Sequence, residues 1–358
     1  MVLTFHVETS KAEEVMKELD DDNCLVIVLE ALNGTECRIK TAGLWIDSPV
    51  GLNWKKFSKR LQHAFLQLFR SPQLRDLRLC GFNRLPLTFL CGAHITRLHL
   101  YGCLKETDAS QEVLPAEETL PLPELDALVT DHELPVSYFE RTISSELESA
   151  IDNLLYLYST IFINADFAKC LEVIERSKHS LIRLSLRYEA VRVALQSYAG
   201  TFDLSNAQRL FNVCLHHYGG IPGPQAPTLG VLEDVIRFCN ILRLPTSGSL
   251  RCLAFVIPMN QNENCAQFFL DSFHPEHQEF HKWSALDAAL GRVCLGGVAS
   301  IEILILTFEF NGQSKDKIPY GDSFVTAAEA LVRKSLTSFA GGEKQKVPRV
   351  VIRIVFES

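Results

Sequence analysis

Leu74, Leu77 and Leu79, followed by Ile95, Leu98 and Leu100, set apolar side chains in the order LxxLxL twice in succession, with polar or charged residues between them. The copies start roughly 20 residues apart, inside the ~20 to 29 residue period of leucine-rich repeats, and Cys103 follows the second where LxxLxLxxN/C expects it. The triplet recurs as Leu125-Asp-Ala-Leu128, Leu181-Ile-Arg-Leu184-Ser-Leu186, Leu250-Arg-Cys-Leu253-Ala-Phe255 and Ile301-Glu-Ile-Leu304-Ile-Leu306, with a weaker copy at Val351, Ile354 and Phe356. These later copies begin about 30 to about 70 residues apart, mostly too far for one standard unit.

Helical spacing fills several of the gaps. Trp54, Phe57, Leu61, Ala64, Phe65 and Leu68 predict a helix ahead of the first triplet. Ile143, Leu147, Ile151 and Leu154 predict another, with Ser144 as its cap, before a cryptic strand at Thr160 to Asn164. Phe167, Leu171 and Ile174 precede the Leu181 strand, and Ser205 with Leu210, Phe211 and Leu215 predicts a capped helix. Trp283, Leu286 and Leu290 lead into the Ile301 strand, and Phe324, Ala328 and Leu331 into the last. The expected fold is α/β: an irregular leucine-rich-repeat-like solenoid of about seven to nine helix-strand units. A curved parallel sheet would line its concave side and helices its convex side.

Two segments interrupt the pattern, Lys105 to Pro123 and Gly219 to Gly230, where proline and glycine forbid regular pairing and loops are expected. Because the triplets continue on both sides, one domain over 1–358 is expected, clearest over 54–310, with a domain boundary at either loop as the alternative. Of the 358 residues, 47% are hydrophobic and 22% charged, enough for a large core. A net charge of −8 argues against nucleic acid or an anionic membrane as the main partner. The most apolar runs, Leu25 to Leu29 and Ile303 to Leu306, fall far short of the ~20 residues of a bilayer span and predict buried strands. The start MVLTFHVETSKAEE lacks the pattern of a signal peptide, and 11 cysteines without a CxxC pair fit reduced thiols in a cytoplasmic or nuclear compartment.

No phosphate loop, GxSxG elbow, HExxH helix or dinucleotide glycine motif is present, so neither an enzyme nor a cofactor is expected. Chance Cys-His pairs leave a thiol hydrolase as the remote alternative, but Cys80, Cys103, Cys170, Cys214 and Cys252 lie beside repeat leucines or on helix faces, as small core residues do. His274, His277 and His281 have metal-compatible spacing, yet Pro275 interrupts them and a solvated loop is the expectation, so no metal is assigned. His216 and His217 are expected at a helix end, as dipole partners. Between the leucines, Asp76 and Arg78, then Arg97, His99 and Tyr101, then Arg183, Ser185 and Arg187 should face away from the core. Arginines on adjacent strands would form a positive groove for an acidic or phosphorylated segment of a protein partner. The bland reading is that exposed strand positions carry arginine for solubility. Cys252, Ala254, Val256, Ile303 and Ile305 make the later end of that face apolar.

Trp54 to Cys103, with its Trp-led helix, Pro72 to Leu79, Leu85-Pro86-Leu87 and Ile95 to Leu100, resembles the leucine-rich-repeat portion of F-box-like proteins abundant in mushroom-forming fungi. The later Trp283-Ser-Ala-Leu-Asp-Ala-Ala-Leu helix is similar to that family's closing units. The resemblance implies the target-binding region of a cullin-type ubiquitin-ligase receptor. The F-box that docks the ligase adaptor is not seen ahead of the repeats, because Leu122-Pro-Glu-Leu125, its nearest likeness, sits mid-chain. An adaptor partner is therefore expected only if an F-box precedes this sequence, and a stand-alone repeat scaffold is the alternative.

Overall fold

A computed structural model describes residues 2–8, 14, 17, 18, 24–33, 38–47, 52–86, 88–102, 120–130, 139–143, 146–161, 164–189, 200–218, 230–245, 249–259, 265–295, 301–311, 321–339 and 348–357. Cys103, Ser144 and most of both predicted loops lie outside the described residues. The chain divides into two compact units, Met1–Ser159 and Thr160–Ser358.

In the first unit β1 (Val2–Glu8), α1 (Cys24–Leu32), β2 (Thr41–Asp47), α2 (Lys59–Phe69), β3 (Asp76–Cys80), β4 (Arg97–Tyr101), β5 (Ala127–Thr130) and β6 (Tyr156–Ile161) follow one another. Each of these strands pairs in parallel with the next in the chain. The second unit contains α3 (Asn164–Arg176), β7 (Arg183–Glu189), β8 (Asn212–Tyr218), α4 (Gly230–Ile241), β9 (Cys252–Met259), α5 (Cys265–Asp271), α6 (Phe280–Leu295), β10 (Ile303–Asn311), α7 (Gly321–Ser335) and β11 (Arg349–Glu357). Its strands too pair in parallel in chain order. The protein is thus α/β, with six such parallel strands named in the first unit and five in the second among the described residues.

The triplets set this arrangement. Leu74, Leu77, Leu79, Ile95, Leu98, Leu100, Leu181, Leu184, Leu186, Leu250, Leu253, Leu304 and Leu306 are all buried, each contributing about 1.5–3 kcal/mol relative to exposure. The turn into each strand also repeats. The carbonyls of Lys40, Arg75, Thr96 and Asp126 in the first unit, and of Ile182, Phe211 and Arg251 in the second, each accept two successive N–H groups from the entry to the next strand. Glycine closes β3 and β4. Gly81 and Gly102 have φ of 74° and 54°, and a Cβ on Gly81 would lie 2.2 Å from the Ile46 carbonyl oxygen.

The helices bring aromatic side chains to the core. In the first unit Ser58 caps α2 by accepting from the Leu61 N–H at 3.1 Å, and Trp54 clusters with Phe57, Phe65, Phe69 and Phe82. In the second, Phe269 of α5 and Trp283 of α6 pack on Phe308 of β10, and the Trp283 indole donates to Ser272 Oγ at 3.0 Å. Asp287 of α6, buried, accepts from Thr337 Oγ1 at 2.9 Å and from Ser338 Oγ at 3.0 Å, tying the turn after α7 to α6. No helix among the described residues is long and apolar enough to cross a membrane.

Several sequence expectations are corrected. Leu25 to Leu29 is not a strand but part of α1, with Leu25, Val26 and Leu29 buried and Ile27 and Val28 exposed; a short apolar run satisfies either period. The helix expected from Ile143 to Leu154 is instead an antiparallel hairpin of Glu140–Ile143 with Glu146–Ser149. A spacing of four residues fits the strand period of two as well as the helix. Ser205 caps no helix: its N–H donates to Asp203 Oδ1 at 2.8 Å in an Asx turn, and Leu215 belongs to β8. His216 and His217 therefore lie on a strand and not at a helix end. The cryptic strand begins earlier than expected, at Tyr156, and Asn164 already opens α3. In β11 the residues opposite Leu304 and Leu306 are Val350 and Ile352, four residues ahead of the triplet expected at Ile354 and Phe356.

Candidate functional site

The strand period of two gives the sheet of the first unit a leucine face and an opposite face. Across the opposite face β3 and β4 set Asp76 beside Arg97, Arg78 beside His99 and Cys80 beside Tyr101. From the other side β2 sets Thr41 beside Asp76, Gly43 beside Arg78 and Trp45 beside Cys80. Trp45 and Tyr101 stand two strands apart, ~9.6 Å at the usual interstrand spacing. Their rings nonetheless stack at 5.4 Å with planes 21° apart, so both lean over Cys80. Gly43 leaves the room: a Cβ there would meet the Trp45 indole nitrogen at 3.0 Å.

Arg78 clasps Asp76 with two hydrogen bonds, Nε to Oδ1 at 3.2 Å and Nη2 to Oδ2 at 3.0 Å, which hold the guanidinium further toward its charged form. His99 Nδ1 lies 3.2 Å from the Tyr101 hydroxyl and Nε2 lies 3.7 Å from Asp76 Oδ1. Burial pushes the imidazole below its ordinary value, Asp76 opposes that, and the charges of Arg78 and Arg97 add to it. His99 is accordingly neutral at pH 7, able to donate from one ring nitrogen and accept at the other. Arg97 is exposed beside this cluster. The result is a half-exposed surface of imidazole, phenol and indole with Arg97 at its edge. Asp76 offsets the charge of Arg78, leaving Arg97 as the cation best placed for an incoming anion.

Four of the six residues singled out from the sequence, Arg78, Arg97, His99 and Tyr101, come together here. Arg183 and Arg187 belong to the second unit, where β7 sets Arg183 beside Asn212 and Arg187 beside His216. Burial, then the Arg187 charge, pushes the His216 imidazole down. Its Nε2 lies 3.3 Å from Cys214 Sγ, but burial foremost, with Cys252 and Glu309 nearby, pushes that thiol up to about 11. That direction is opposite to the one a thiolate nucleophile needs. His274 and His277 accept the N–H groups of Glu276 and Glu279 in successive turns, at 3.4 Å and 3.2 Å. Among the described residues no group of three His, Cys, Asp or Glu side chains is arranged to hold a metal.

Trp45 escaped the sequence analysis because β2 carries no LxxLxL triplet. Its signal is the alternation of buried Ala42, Leu44 and Ile46 with Thr41, Gly43 and Trp45. Compared with family models, with curated proteins and with solved structures, the chain matches none.

Proposed function

We propose that this protein is a recognition module of leucine-rich-repeat type, which binds an acidic or phosphorylated segment of a partner protein on the strand face bearing Trp45, Arg97, His99 and Tyr101. The observation that carries the reading is the division of one sheet into a fully buried leucine face and a half-exposed face of aromatic, imidazole and guanidinium groups. The repeated hydrogen-bond pattern at strand entry supports a stacked-repeat architecture. Arg97 offers a planar fork to a carboxylate or phosphate, while the Trp45–Tyr101 stack offers a flat apolar wall for the partner's neighbouring side chain. By its resemblance to F-box-like repeat proteins, the module is the target-binding part of a ubiquitin-ligase receptor.

Two measurements test this. On an array of acidic, phosphoserine and neutral peptides, Arg97→Glu should weaken the best-bound peptides about tenfold or more, ~1.4 kcal/mol, without changing the melting temperature by more than a few degrees. Binding unaltered by this charge reversal would refute the site. Co-purification of the protein with the cullin-ligase adaptor tests the receptor role. Partner capture without adaptor would leave a recognition scaffold with no part in ubiquitin transfer.

A further inference from the structure

The second unit carries a different surface on its own sheet. On the face opposite its buried leucines, β7 presents Arg183 and Arg187, and β11, four strands on, presents Arg349 and Arg353. Arg183 pairs in register through Asn212, Cys252 and Ile303 to Arg349. Arg187 runs through His216, Val256 and Thr307 to Arg353. Between these two arginine rows the middle of the floor is apolar, formed by Cys252, Ala254, Val256, Ile303 and Ile305 on β9 and β10, with Asn212 and His216 on its β7 side and Thr307 beside Arg353. Three of the four arginines, Arg183, Arg349 and Arg353, are exposed. Glu309 lies beyond Thr307 on the same face and bounds the floor at that end.

We infer that this face docks an acidic amphipathic helix of a partner protein, its apolar stripe on the floor and its carboxylates reaching the arginine rows on both sides. The dimensions select a helix over an extended segment. Four interstrand steps of ~4.8 Å separate the rows by ~19 Å. A helix with its side chains is ~10–12 Å across and leaves room on each flank for a guanidinium–carboxylate pair. A single extended strand would reach one row only. Along each row the two arginines stand four residues apart, ~13 Å on a strand, close to the ~11 Å of two helical turns. The partner helix should therefore carry Glu or Asp at i and i+7 on each flank of a leucine or alanine stripe. An acidic helix also suits the charges, since these four cations face one way in a chain of net charge −8.

The test uses the full chain and a fluorescein-labelled synthetic peptide of about 18 residues, ~27 Å as a helix, with Leu and Ala in the stripe and Glu on both flanks. The expected result is saturable binding by anisotropy, weakened at least tenfold by Arg183→Glu with Arg349→Glu and, separately, by Ile305→Asp. Arg209→Glu, the same charge change in an exposed turn, should leave it intact. A scrambled peptide of equal composition should bind at least tenfold more weakly. Melting curves confirm folding, and if Ile305→Asp proves unfolded, Val256→Thr replaces it as the floor variant. Absence of binding, equal binding of the scrambled peptide, or binding indifferent to the double reversal overturns the inference. So does capture of the protein by phosphatidylserine vesicles, but not by the peptide, through the same arginines. Loss of peptide binding in Arg97→Glu, with the double reversal unaffected, would place the peptide on the first unit's surface, refuting this site while leaving the proposed function standing.

Discussion

His99 shows how neighbours decide what one side chain can do. Its position between two leucines turns it away from the core, yet Tyr101 and the Arg78–Asp76 pair beside it leave the imidazole only partly solvated. Burial lowers its affinity for a proton in the folded state, as it does for His216. The unfolded chain, with imidazoles near their ordinary value of 6.5, therefore binds more protons than the folded chain as pH falls through that value. Folding stability should therefore be full above about pH 7 and decline as pH falls through 6.5. Urea unfolding at a series of pH values checks this: His99→Gln should flatten the decline, and an unchanged profile would contradict the burial argument.

At the scale of elements, a few side chains hold the pieces in place. Asp287 makes its bonds across sequence, binding the Ser338 N–H at 3.1 Å as well as the two hydroxyls. It thereby links α6 to the turn that leads from α7 toward β11. Replacing it with Ala leaves the part-buried Ser338 N–H without its carboxylate acceptor, and the expected loss is about 1–3 kcal/mol by chemical denaturation. Rescue of much of that loss by Asn would identify hydrogen bonding, rather than charge, as the cause. The arginine pairs behave differently. Arg251 bonds Glu302 and Arg60 bonds Glu30 at exposed sites, where such pairs contribute little.

For the whole molecule, cysteine chemistry separates the recognition reading from the hydrolase alternative. Burial pushes the thiols of Cys214 up to about 11 and Cys294 up to about 12, and Cys91, Cys170 and Cys239 are also buried. Cys24 is exposed. At pH 8 an alkylating reagent should therefore label Cys24 fast and the buried thiols only when urea opens the fold, as mass spectrometry of the labelled peptides would show. Fast native labelling of Cys214 beside His216 would instead indicate an activated thiolate and favour the hydrolase.

Much of the fold is written along the chain. The LxxLxL spacing places strands, because burying one face of a strand demands a period of two, and the helices bearing Phe65, Phe167, Trp283 and Phe324 show their 3.6-residue period, although Trp54 and Phe57, expected on the first of them, precede it in a 3-10 turn and its extended exit. The inter-leucine positions likewise identify Arg78, Arg97, His99 and Tyr101 as neighbours on one face. Where an apolar spacing satisfies two periods at once, as at Leu25 to Leu29 and Ile143 to Leu147, local pattern is indifferent and packing chooses: a helix for the first, a hairpin for the second. Register across strands was also beyond the sequence, since it depends on partners far away in the chain. Only the tertiary structure brings Trp45 over Cys80 to Tyr101, turns Arg78 onto Asp76, and sets Arg349 and Arg353 across an apolar floor from Arg183 and Arg187. The residues decide which face each side chain takes, and the pairing of distant strands decides what it meets there.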